Sequence, residues 1–105
     1  PMTDTRPDPA TGSGNIAVHA RIEGRVQGVW YRAWTVEQAT KRDLTGWVRN
    51  RNDGTVEAVF CGSVDAVRSM VAACHEGPTH ARVDRIHEEP ALEDGFTSFE
   101  KRSTA

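Results

Sequence analysis

Arg32 closes the run Gly24-Arg25-Val26-Gln27-Gly28-Val29-Trp30-Tyr31-Arg32, where this chain concentrates its capacity for chemistry. A guanidinium is a planar fork of donors matched to the oxygens of a phosphate or carboxylate. Gly24 and Gly28 accept backbone angles that other residues resist. The loop can therefore curl until the main-chain N–H groups of Gln27, Gly28, Val29, Trp30 and Tyr31 face one point. A helix opening behind it adds the positive end of its dipole. The chemistry on offer is capture of one small anion in a cradle of N–H groups under a cationic clamp. An ordinary tight turn, with a surface arginine paired to a carboxylate, is the plainer alternative.

A second polar group, Asn50, ends an apolar stretch beside a turn. Its amide has two donors and an acceptor, enough to hold a water in both directions or to satisfy its own turn. His19, His75, His80 and His87 show no ligand spacing, and Cys61 and Cys74 show neither metal nor redox spacing. No Ser-His-Asp or Cys-His set can be assembled. A chain without an evident nucleophile or base favours chemistry done by positioning and charge stabilisation. No metal and no cofactor is expected.

The elements that must position these groups follow from periodicity. Ile16, Val18, Ala20 and Ile22 alternate with Ala17, His19, Arg21 and Glu23, which predicts a strand with one buried face. Residues 32–42 read as a helix with Ala33, Val36, Ala39 and Thr40 toward the sheet. A strand over 44–50, the turn Arg51-Asn52-Asp53-Gly54 and a strand over 55–61 form a hairpin. A second helix spans 64–75, capped by Ser63, striped by Val64, Val67, Val71 and Cys74, and ended by Gly77-Pro78. Val83 and Ile86 are out of phase in a fourth strand over 81–88, which calls for a bulge or a shift of face. A short fifth strand is expected over 96–102. The order β-α-β-β-α-β predicts an α+β, ferredoxin-like fold, with two helices on one face of a mainly antiparallel sheet.

Two motifs at this separation, Gly24-x-Val26-Gln27-Gly28-Val29-x-Tyr31-Arg32 and Gly46-Trp47-Val48-Arg49-Asn50-x-x-Asp53-Gly54-x-Val56, resemble the acylphosphatase family. A looser third match is Gly77-Pro78-x-x-Ala81-x-Val83, and the resemblance covers roughly residues 16 to 102. It implies the same ferredoxin-like fold and hydrolysis of the carboxyl–phosphate bond of small acyl phosphates. It also implies phosphate held by the loop amides of 27–31 and Arg32, with Asn50 orienting the attacking water. Inorganic phosphate or sulfate is the expected bound anion, and the family resemblance favours a monomer. The chain departs from the family pattern at Asp43, where glycine is usual, and at Lys101, which interrupts the alternation of the last strand. A non-catalytic anion-binding module on the same fold is the alternative function.

Composition bounds the rest. The chain of 105 residues is one domain, expected over 15–102 between a disordered tail, 1–14, and a short tail, 103–105. A net charge of −2 gives no bulk attraction to nucleic acid or anionic membranes, and the first strand has no aromatic residue on which RNA bases would stack. No apolar run is long enough to span a membrane and no signal peptide is visible, so the expected location is the cytoplasm. Trp30 and Tyr31 divide two tasks, one packing and one walling off bulk water. Trp47 is expected to pack on the sheet and Arg49 to point outward.

Overall fold

The computed structural model describes residues 15–92 and 95–105; the expected 1–14 tail lies outside the described residues. Five strands form one sheet: β1 (Asn15–Arg25), β2 (Thr45–Asn50), β3 (Val56–Ser63), β4 (Arg82–Pro90) and β5 (Phe99–Lys101), in the spatial order β4-β1-β3-β2-β5. All pairings are antiparallel except β2 with β5. Two helices, α1 (Tyr31–Lys41) and α2 (Val64–Glu76), pack on one face. This is the expected ferredoxin-like α+β arrangement, with a fifth strand at the β2 edge.

The core lies between helices and sheet. Val18, Ala20 and Ile22 of β1 face Phe60, Ala58 and Val56 of β3, as the alternation predicts. In α2 the buried line is Val67, Met70, Val71 and Cys74, with Val64 only half-buried. Ser63 Oγ accepts from the Ala66 N–H at 3.2 Å, the expected cap. The face of α1 differs from expectation. Ala33 and Thr40 are exposed, while Tyr31, Thr35 and Ala39 are buried at i, i+4 and i+8. Thr35 can be interior because its hydroxyl donates to the Tyr31 carbonyl at 2.7 Å. Asp43 ends this helix at φ 58, the left-handed geometry for which glycine is the usual choice.

The bulge expected in β4 sits at Asp84: Glu23 pairs with Arg85 and Gly24 with Val83. Gly24 is thus the end of a strand rather than part of the loop. A Cβ there would lie 2.1 Å from the Arg82 carbonyl oxygen, so the β1–β4 pairing itself demands glycine.

The other sheet face carries charge over a thin apolar layer. Trp47 is 3% exposed, with the guanidinium carbons of Arg49 and Arg102 each 4.8 Å from its ring centre. Beside it Glu57 is 8% exposed and accepts from His19 Nε2 (2.6 Å), Arg49 Nε (2.7 Å) and Arg51 Nη1 (3.0 Å). Burial pushes the Glu57 carboxyl up, but the three hydrogen bonds outweigh it and hold the group at about 2. A carboxyl depressed on folding stabilises the protein above its unfolded value near 4.5, and that contribution fades as pH falls toward 2. Glu57→Gln is therefore expected to lower unfolding free energy at neutral pH by about 2–3 kcal/mol. It should also flatten the loss of stability between pH 4.5 and 2, as read by urea melts across that range.

Candidate active site

The loop between β1 and α1 is held from three directions. Val26 and Val29 bury their side chains in the core. Gln27 Nε2 donates to the carbonyls of Arg51 (2.8 Å) and Thr55 (2.9 Å), tying the loop to the β2–β3 turn. Gly28 sits between at φ 73, with open space where a Cβ would go, so conformation alone selects glycine there.

Trp30 then turns the chain into the helix at φ 68 and ψ 18, a left-handed conformation that costs a bulky residue about 1–2 kcal/mol. No side chain caps α1, and its first turn contains no acidic residue. The opposite treatment of α2, with Ser63 as cap and Asp65 in the first turn, makes the contrast plain. The first N–H groups and positive end of α1 are left for something other than its own sequence.

Around this loop opens a cleft of about 340 Å³. Gly28, Trp30, Arg32 and Ala33 line it from the loop and helix, and Asn50 and Lys101 line it from the sheet edge. Val26 and Tyr31 complete the lining. Arg32 has no ion-pair partner among the described residues, so its fork is uncommitted. Asn50 ends β2 on the face that Val48 occupies two residues earlier. Its main-chain oxygen accepts from the Ala105 N–H at 3.0 Å, and the Ala105 carbonyl accepts from Asn52 at 2.9 Å. The segment beyond β5, read as a tail, thus makes main-chain hydrogen bonds on both sides of Arg51. Asn50 lines the cleft, and its side-chain oxygen Oδ1 is buried without a hydrogen-bond partner among the described residues.

The structure therefore brings Gly28, Trp30, Tyr31, Arg32 and Asn50 together. The side chains of Gln27 and Val29 do not line the cleft; one braces the loop and the other anchors it. Of Trp30 and Tyr31, Tyr31 takes the packing task. Tyr31 is interior and donates its hydroxyl to the Cys74 carbonyl at 2.6 Å, and burial pushes its phenol far up. Trp30 lines the cleft and is 80% exposed. The Cys74 thiol is pushed by burial to about 12, which makes it inert at neutral pH. Arg49 lies on the opposite sheet face, committed to Glu57.

Two contributions were not foreseen. The Gln27 brace depends on carbonyls 24 and 28 residues away. Lys101 enters the site through β5, and the one available signal was a charge at an inward position of the alternation. Gln27→Ala is expected to lower stability by about 1–2 kcal/mol through two lost hydrogen bonds. It should also weaken inhibition by inorganic phosphate several-fold as the loop loosens; urea denaturation and inhibition assays read the two effects separately.

Among the described residues no carboxylate and no imidazole lines the cleft. Among the described residues no group of three or more His, Cys, Asp or Glu is placed to hold a metal ion, and no helix is long and apolar enough to cross a membrane. The fold and the cleft together define a two-layer α+β module whose cleft brings two cationic side chains, Arg32 and Lys101, and the Asn50 amide to one end of the sheet.

Comparison with known proteins sharpens that class. The acylphosphatase family model matches residues 18–101. An acylphosphatase of Rhizorhabdus wittichii is 52% identical over 85 residues, covering 78% of this chain and 86% of its own. The structure of an acylphosphatase from Coxiella burnetii superposes with a TM-score of 0.81 at 33% identity, covering 84% of this chain and 93% of its own. That of acylphosphatase from Bacillus subtilis gives 0.80 at 34%, covering 83% and 98%. The chain belongs to the acylphosphatase family, and with it to the hydrolases.

Proposed function

We propose that the cleft hydrolyses the carboxyl–phosphate bond of small acyl phosphates, with the phosphate held by the loop and Arg32. The observation that carries this reading is the uncommitted Arg32 fork beside an uncapped helix start, with Asn50, whose buried Oδ1 is unpartnered, lining the same cleft. The main-chain N–H groups of Gln27 to Tyr31 receive the phosphoryl oxygens, and Arg32 adds two parallel charge-assisted hydrogen bonds. Asn50 Oδ1 accepts from a water and aims its lone pair at phosphorus. The water oxygen bonds to phosphorus as the bond from phosphorus to the carboxyl oxygen breaks, and the electron pair leaves with the carboxylate. With no side-chain base among the described residues lining the cleft, a phosphoryl oxygen of the substrate takes the water's proton. The products are a carboxylate and inorganic phosphate. The carboxylate is a good leaving group, so positioning and electrostatics suffice.

A monomer is expected from the family resemblance, and inorganic phosphate or sulfate is the anion expected to occupy the cradle. The cytoplasm is the proposed location, in keeping with a small diffusible substrate. The test is hydrolysis of benzoyl phosphate in 18O-labelled water with a chelator present. Turnover with label entering phosphate is expected. Label in benzoate would place the attack on carbon and reject this mechanism. No turnover above the spontaneous rate, with phosphate still bound, would make the domain an anion-binding module.

A further inference from the structure

Lys101 belongs to no part of the mechanism above, yet it lines the same cleft. Its position is set by the sheet. In the parallel β2–β5 pair, Gly46 faces Phe99 and Val48 faces Lys101. Cross-strand partners share a face, so Phe99, Lys101, Val48 and Asn50 all point toward the helices. Phe99 fulfils that position by stacking on Phe60, with ring centres 5.5 Å apart. Two residues on, a lysine stands where the alternation asks for an apolar side chain. It is tolerated because Lys101 is exposed, so its stem can follow the strand edge while its charged head stays in water. No carboxylate lines the cleft, and neither Lys101 nor Arg32 has an ion-pair partner among the described residues. The site therefore carries two uncommitted cations.

The phosphoryl group is already provided for by the loop N–H groups, the start of α1 and Arg32. The second cation is left for what the phosphate is attached to. Exposed Trp30 and Ala33 offer carbon surface for the acyl chain, and a volume of about 340 Å³ leaves room beyond a phosphate. We propose that Lys101 is a specificity-determining residue that selects acyl phosphates bearing a second anionic group on the acyl chain. This rests on the acylphosphatase reading of the cleft and adds to it a substrate class.

The test compares benzoyl phosphate with 3- and 4-carboxybenzoyl phosphate, which differ by a remote carboxylate. For an exposed ion pair, the ratio of kcat/KM, carboxylated over plain, should fall about three- to five-fold in Lys101→Met at low salt. It should fall further in Lys101→Glu and be kept by Lys101→Arg; added salt should erase the wild-type preference. A ratio unchanged across the variants overturns the proposal. So does a parallel loss on both substrates together with weaker inhibition by inorganic phosphate, which would place Lys101 on the phosphoryl group. Calorimetric binding of benzoylphosphonate and 4-carboxybenzoylphosphonate asks the same question without turnover. Lys101-dependent preference there, with no hydrolysis of benzoyl phosphate, would reject the enzymatic reading while sustaining this selectivity; equal affinities would reject the selectivity.

Discussion

Arg32→Ala is expected to lower kcat/KM for benzoyl phosphate by about 10³-fold while the domain stays folded, because the side chain contributes charge-assisted donors at the reacting group. The substitution removes no described ion pair, so the fold has little to lose. Arg32→Lys is the sharper comparison. A lysine restores the charge but neither the planar fork nor its two parallel hydrogen bonds, so about 10²-fold of the loss should remain. Recovery of most of the activity by lysine would show that charge alone suffices. Unfolding curves that overlay the wild type are needed to assign either loss to the site.

The second large effect is at Asn50, with a different kinetic signature. Asn50→Ala removes the unpartnered Oδ1 but leaves the loop, the start of α1 and Arg32 intact. If that oxygen orients the attacking water, kcat should fall about 10²-fold while the inhibition constant of inorganic phosphate stays nearly unchanged. The main-chain bond from Ala105 to Asn50 does not depend on the side chain, so the strand end should hold. Full turnover in Asn50→Ala would remove the residue from the mechanism. A parallel loss of phosphate affinity would make it a binding residue instead.

Much of this arrangement was legible in the sequence because local physics specifies it. Period-two alternation placed β1, and the token Asp53-Gly54 placed the hairpin. Ser63 with the Gly77-Pro78 stop bounded α2, and the phase break between Val83 and Ile86 located the bulge. What the sequence hid depends on contacts distant along the chain. The buried face of α1 keeps Ala39 but otherwise departs from side-chain type: Thr35 goes inside by bonding the Tyr31 carbonyl, while Ala33 stays out. Met70 fills the core between the residues that periodicity picked.

In the site, Arg32, Asn50 and the loop stood out by type and spacing, but how each side chain is used did not. Gly24 is required by β4, not by the anion cradle. Gln27 reaches across to the β2–β3 turn. Lys101 comes to the cleft only because β5 adds in parallel to the edge of β2, pairing residues more than fifty positions apart.

The central claim is that one phosphate sits on the loop amides under Arg32. Titration of inorganic phosphate into 15N-labelled protein tests it most directly. Saturable shifts concentrated on the backbone amides of Gln27 to Arg32, abolished in Arg32→Ala and retained in Asn50→Ala, are the predicted result. Shifts centred on the opposite sheet face, around Arg49 and Arg51, or shifts that survive Arg32→Ala, would contradict it.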